Sequence, residues 1–152
     1  MTIATDEFPS RSPEAVATTA EWENLVEQLT ECGQTDERLR LVVLFGSVVS
    51  GRANRLSDVD LAVMESQPLS ADRKMELIER FALVANRPVD LVDLRTAHGP
   101  LRREVLTHGR KLLCRDVGLY ADLLRRMLFD DADFQPLIRA LHARRLQQGI
   151  GT

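Results

Sequence analysis

Polar and apolar positions along the chain fall into short runs that switch between two periods. From Trp22, the residues Leu25, Val26, Leu29 and Cys32 recur every three or four positions, the spacing of a helix with one apolar stripe. Thr18 with Glu21 forms a capping-box pattern ahead of it, and Gly33 offers a stop. Leu39 to Phe45 is instead a short apolar, β-branched run ending at Gly46-Ser47, which predicts a buried strand feeding a tight turn and a short helix. Asp58 to Met64 alternates with period two, so a second strand is expected with Val59, Leu61 and Val63 on its core face.

Ser70 can cap a helix whose stripe is Met75, Ile78, Phe81, Ala82 and Ala85, with Asn86 and Pro88 closing it. Val89 to Leu94 reads as a third strand. Gly99-Pro100 opens a helix carrying Leu101, Val105 and Leu106 as far as Gly109, and Lys111 to Cys114 fits a fourth, edge strand. Beyond Asp116, one helical face is formed by Leu119, Leu123, Leu124, Met127 and Leu128, and another by Leu137, Ile138, Leu141 and Leu146. Helix and strand alternate and the chain then turns mostly helical, an α/β (α+β) order.

The length of 152 residues fits one domain with a real core. Residues 1–16 mix Thr, Ser, Pro and acidic side chains without apolar period, so a flexible segment is expected there, ahead of a single domain over 17–152. A net charge of -3 gives no strong ground for direct nucleic-acid binding through a basic surface. Cys32 and Cys114 are too few and too far apart for a metal knuckle or a disulfide framework, which points to a reducing compartment. No stretch approaches a membrane span, and the start lacks the basic-then-apolar build of a signal peptide. The expectation is a soluble cytoplasmic protein with no membrane partner.

The chemistry is concentrated between positions 46 and 60. Gly46 lets backbone approach a ligand closely, and Ser47, with the amides of the helix it starts, can donate to phosphate oxygens. Asp58 and Asp60 project the same way from a strand, about 7 Å apart along the backbone. Two carboxylates so placed repel each other, and a bound hard cation, normally Mg2+, makes the arrangement favourable. For Gly46-Ser47 alone, turn chemistry is the plain alternative; the acidic pair downstream turns the reading towards a metal cradle beside a phosphate loop. His98, His108 and His142 are dispersed without ligand spacing, and Tyr120 lies on an apolar helical stripe, which suits packing rather than modification.

Gly46-Ser47, ten intervening residues and then Asp58-x-Asp60, with Gly51 and Ala53 between and Ser57 before, resembles the nucleotidyltransferases of the DNA polymerase β-like superfamily. The short chain is similar to the minimal nucleotidyltransferase, or MNT, proteins. The resemblance runs from about Leu41 to Leu94, and more loosely through Glu104-Val105-Leu106-Thr107-His108-Gly109-Arg110 and Asp133-Phe134-x-Pro136. It implies the nucleotidyltransferase fold, a small mixed sheet packed with helices and followed by C-terminal helices. A third carboxylate is implied on the next strand, and Asp90 sits where that motif places it. Asp93 faces the other side by parity and is expected to make a strand-end or loop contact.

The implied chemistry is Mg2+-dependent transfer from a nucleoside triphosphate. Asp58, Asp60 and Asp90 would hold two divalent ions, Asp90 would also orient or deprotonate the attacking hydroxyl, and Gly46 and Ser47 would grip the outer phosphates. Many such proteins carry arginines in the turn after Gly-Ser, where this chain has Val48 and Ser50. Arg52 and Arg55 are the candidate nucleotide-binding substitutes, with solvated loop charge as the other reading. MNT proteins are commonly the antitoxin half of prokaryotic HEPN/MNT toxin-antitoxin pairs. The resemblance therefore implies AMP transfer from ATP to a tyrosine of a cognate HEPN ribonuclease toxin. The alternative is an antitoxin with weak or no catalysis that inhibits its toxin by stoichiometric docking. A transferase acting on a small molecule or an RNA end ranks last, because little chain follows the third strand to build an acceptor domain.

Overall fold

A computed structural model describes residues 17–54 and 57–148; the expected flexible segment 1–16 and Arg55 lie outside the described residues. The element order is α1 (Thr19–Gln34), β1 (Leu41–Phe45), α2 (Ser47–Ser50), β2 (Val59–Met64), α3 (Ala71–Ala85), β3 (Val89–Asp93), α4 (Gly99–His108), β4 (Arg110–Cys114) and α5 (Val117–Gln148). The strands form one mixed sheet in the order β3-β2-β1-β4. β1 runs antiparallel to both β2 and β4, whereas β2 and β3 are parallel and joined by the α3 crossover.

Each face of the sheet has its own core. Val42, Leu44, Val59, Leu61, Val63, Val89 and Leu91 meet Leu25 and Leu29 of α1 and Leu77 and Phe81 of α3. On the other face Leu41, Val43, Phe45, Ala62 and Met64 meet Val105 and Leu106 of α4 and Leu123 of α5. The period-two pattern of β2 thus separates two buried faces rather than a core face from water, and only its first turn of chain, at Asp58 and Asp60, is left partly open.

The α1 capping box is present: the Thr18 amide donates to Glu21 Oε2 (2.6 Å) and the Glu21 amide donates to Thr18 Oγ1 (3.3 Å). Gly33, expected as a stop, is instead buried inside α1, where a Cβ would lie 3.4 Å from Val42 Cγ2; the helix ends at Thr35, whose amide donates to the Glu31 carbonyl (3.1 Å), while the Asp36 amide donates to the Gly33 carbonyl (3.2 Å). Ser70 caps α3 by accepting from the Arg73 amide (3.1 Å), and Asn86 closes it at φ 52°. The α3 stripe is shifted from the expected one. Met75 is 54% exposed, and the buried positions are Arg73, Leu77, Phe81 and Ala85, four residues apart.

Arg73 is buried because its partners are. Its Nε donates to Glu65 Oε1 (2.7 Å) and its Nη2 to Asp36 Oδ2 (2.7 Å), joining α3 to the chain after β2 and after α1. Burying such charges is tolerable only when they are paired and hydrogen-bonded. The two helical faces expected beyond Asp116 belong to one continuous helix, α5, which passes through Pro136. After Gly118 the segment holds no other glycine and is rich in Leu, Ala, Arg and Gln, so summed propensity outweighs the single amide lost at the proline.

Candidate active site

Register brings the acids together. β2 and β3 pair in parallel with Asp60 directly opposite Asp90, and β1 pairs antiparallel so that Phe45, the residue before the Gly46-Ser47 turn, is opposite Asp60. Adjacent strands lie about 4.8 Å apart, so Asp60 sits one strand spacing from both Asp90 and the end of β1. Asp58, two residues earlier, shares the parity of Asp60. All three acids fall on the sheet face that α4 and α5 cover lower down. Asp58 and Asp90 are exposed and Asp60 is half-buried.

Burial first, and then the charges of Asp90 and Asp58, hold the Asp60 carboxyl above its ordinary range. The electrostatics therefore couple the three groups. Among the described residues no three His, Cys, Asp or Glu side chains are gathered tightly enough to hold a metal ion as they stand. The exposed Asp58 and Asp90 can turn about their side-chain bonds, and a cation would repay the repulsion felt at Asp60. The donor set consists of carboxylate oxygens alone, the chemistry that suits Mg2+.

Gly46 makes room for this arrangement. Its φ of 77° and ψ of -149° lie in a region that favours glycine, and a Cβ there would fall on the Asp60 carboxylate, 2.9 Å from Cγ. Ser47 begins α2, and its carbonyl accepts from the amides of Arg52 and Ala53, each at 3.1 Å, which folds the following chain back under the turn. Val48 packs towards the core, Ser50 Oγ donates to the Ser47 carbonyl (3.2 Å), and Gly51 closes α2 in the left-handed region. Arg52 is exposed just beyond.

Asp93 does not join the acids. It is buried at the far end of β3 on the opposite face, where its oxygens accept from the amides of Leu69 (2.8 Å) and Arg95 (2.9 Å). Tyr120 packs half-buried beneath Lys111, whose Nζ lies 4.3 Å from the ring centroid. His98, His108 and His142 are exposed. A cavity of about 500 Å³ is bounded by α1 and α3 residues such as Gln28, Cys32, Arg80 and Leu83, on the face away from the acids.

Arg87 carries no motif and was not singled out by the sequence. Its Nη1 donates to the carbonyls of Asn54 (3.1 Å) and Ser57 (3.5 Å), next to Asp58. Its guanidinium lies 4.8 Å from the centroid of the Trp22 ring. Because these partners are backbone atoms and an aromatic face far away in sequence, no local pattern signals them.

Residues 27–117 match the family described as polymerase beta, nucleotidyltransferase. The protein adenylyltransferase MntA of Shewanella oneidensis is 40% identical over 75 residues, which cover 49% of this chain and 54% of that protein. The chain thus spans about half the length of that relative. A crystal structure of a toxin-antitoxin with AMP-PNP superposes with a TM-score of 0.60 at 29% identity, covering 79% of this chain and 98% of the other. A complex of tri-AMPylated Shewanella oneidensis HEPN toxin with MNT antitoxin superposes at 0.55 and 27% identity, covering 81% and 97%.

Proposed function

The chain belongs to the polymerase beta nucleotidyltransferase family, and from that premise we propose that it is an antitoxin that transfers AMP from ATP to a tyrosine of a HEPN ribonuclease toxin. The observation that carries the proposal is the parallel register of Asp60 with Asp90, with Asp58 on the same face and Gly46 packed against Asp60. The similarity to a protein adenylyltransferase and to toxin-antitoxin complexes supports the choice of nucleotide and partner. Among the described residues no helix is long and apolar enough to cross a membrane, and we place the protein in the prokaryotic cytoplasm.

In this reading Ser47 and the amides around the turn hold the outer phosphates of ATP, while the glycine before it lets them approach the acids. Arg52, and Arg55 three positions further along the sequence, would supply cationic charge to the phosphates. Asp58 and Asp60 would hold the metal-nucleotide, and Asp90 would complete the set from the neighbouring strand. Magnesium, when bound there, neutralises phosphate charge and stabilises the departing pyrophosphate. Asp90 accepts the proton of the tyrosine hydroxyl as its oxygen attacks the α-phosphorus. One phosphorus-oxygen bond forms to the tyrosine, the bond to pyrophosphate breaks, and the proton passes to solvent.

The test is to incubate the chain with Mg2+, labelled ATP and the HEPN partner. Label on the partner with wild type but not with Asp60→Asn supports the proposal; no label with either removes it. A second reading, inhibition by docking alone, draws on the absence of arginine at Val48 and Ser50 and on Leu128 and Phe129, which are 63% and 61% exposed on α5. Neutralisation that survives Asp58→Ala together with Asp60→Ala would favour it.

A further inference from the structure

Arg87 stands between the two chain segments that deliver the acids. It occupies the turn from α3 into β3, three residues before Asp90. From there it reaches back to the Asn54 and Ser57 carbonyls at 3.1 and 3.5 Å, and the Ser57 carbonyl belongs to the peptide that leads into Asp58. The Asn54 and Ser57 ends of that loop are already bonded to each other: the Ser57 amide donates to the Asn54 carbonyl (3.1 Å) and the Asn54 amide to Ser57 Oγ (2.9 Å). Arg87 ties Asn54 and Ser57 to the start of β3. The amide of Val59 donates to the Pro88 carbonyl (2.9 Å) alongside, so the two strand starts are held at adjacent points. Trp22 of α1 braces the guanidinium by a cation-π contact at 4.8 Å.

We propose that Arg87 is a positioning residue that presents Asp58 to Asp60 and Asp90, fixing the geometry in which the three bind a divalent cation. This rests on the nucleotidyltransferase reading above. A guanidinium suits the task because its planar fork carries donors in fixed directions while its face stacks on an aromatic ring. A lysine there keeps the cation over Trp22 but not the fixed geometry. Partners that orient metal-binding side chains from behind typically influence metal affinity by about 10–100-fold.

The test uses Mn2+ as the probe, its free concentration read by electron paramagnetic resonance, with wild type, Arg87→Ala and Arg87→Lys. Arg87→Ala is expected to weaken Mn2+ binding by at least about tenfold, and Arg87→Lys to fall between it and wild type while keeping the wild-type melting temperature. In the transfer assay the alanine variant needs more metal for half-maximal rate, and its rate at saturating metal returns towards wild type. Wild-type Mn2+ affinity in both variants overturns the inference, as does an unmeasurable Mn2+ affinity in wild type. If the alanine variant does not fold, the lysine variant decides, and undiminished affinity in it is the overturning result. A wild-type chain that transfers no AMP yet binds Mn2+ in an Arg87-dependent way counts against the proposed function and in favour of the role of Arg87.

Discussion

Gly46 and Asp60 touch so closely that the glycine has no room for a methyl group: a Cβ there would lie 2.9 Å from Asp60 Cγ and 3.1 Å from its Cβ. Gly46→Ala therefore forces either the turn or the carboxylate to move, and the positive φ adds strain for any other residue. A displacement of about 1 Å at a reacting centre costs on the order of 100-fold in rate. The expected result is a fall of that order in AMP transfer while the circular dichroism of the sheet and helices is retained. Transfer at the wild-type rate would show that the contact does not govern the site.

Asp60→Asn should separate stability from activity. Because burial and the charges of Asp90 and Asp58 raise the Asp60 pKa, the ionised form is disfavoured in the fold, and its destabilising effect grows as pH rises through the ordinary carboxylate range and persists at neutrality. The asparagine variant removes that charge. In metal-free buffer at pH 7 its melting temperature should exceed that of wild type, whereas Mn2+ binding and transfer are lost. A lower melting temperature would contradict the repulsion.

Acid should loosen the opposite end of the sheet. Burial alone would raise the Asp36 pKa, but hydrogen bonds from Arg73, from the Arg38 amide and from Arg80 outweigh it and hold the carboxyl below its ordinary value. A depressed folded-state pKa contributes stability that is present above the unfolded value of about 3.9 and is lost as pH falls through the folded one. Urea midpoints of wild type should therefore drop below about pH 4 more steeply than those of Asp36→Asn.

Removing the cation from that cluster is costlier than protonating one acid. Arg73→Leu leaves Glu65 and Asp36 buried without their shared partner, although Arg38 still reaches Glu65 (3.3 Å) and Arg80 still bonds Asp36. Breaking a buried pair by deleting one member typically destabilises by about 3–5 kcal/mol, and the surviving arginines place the expectation at the lower end. Equilibrium urea unfolding measures it. A loss below about 1 kcal/mol would put the cluster in the class of exposed ion pairs.

Features written in adjacent residues were legible from the chain alone. The Thr18-Glu21 box, the Ser70 cap, the Gly46-Ser47 turn after an apolar strand and the shared parity of Asp58 and Asp60 each depend on a few neighbouring positions. Parity also separated Asp90 from Asp93, which the fold places on opposite faces. What escaped depends on distant partners. Met75 looked like core because it is apolar, but Arg73 holds the buried position by virtue of Asp36 and Glu65, 37 and 8 residues away. Gly33 looked like a stop because nothing local says that β1 will press against it. Arg87 has the same character, since what it holds is the main chain of another loop.

The parallel pairing of β2 with β3 has a consequence for the order of assembly. A parallel neighbour can be reached only through a crossover, so Asp60 and Asp90 stand side by side only once α3 has docked on the sheet between them in sequence. Such non-local pairing is slow relative to hairpin closure. A half-folded chain therefore carries a pair of acids without the third, and the full set of carboxylates is assembled only when α3 and β3 complete that side of the sheet.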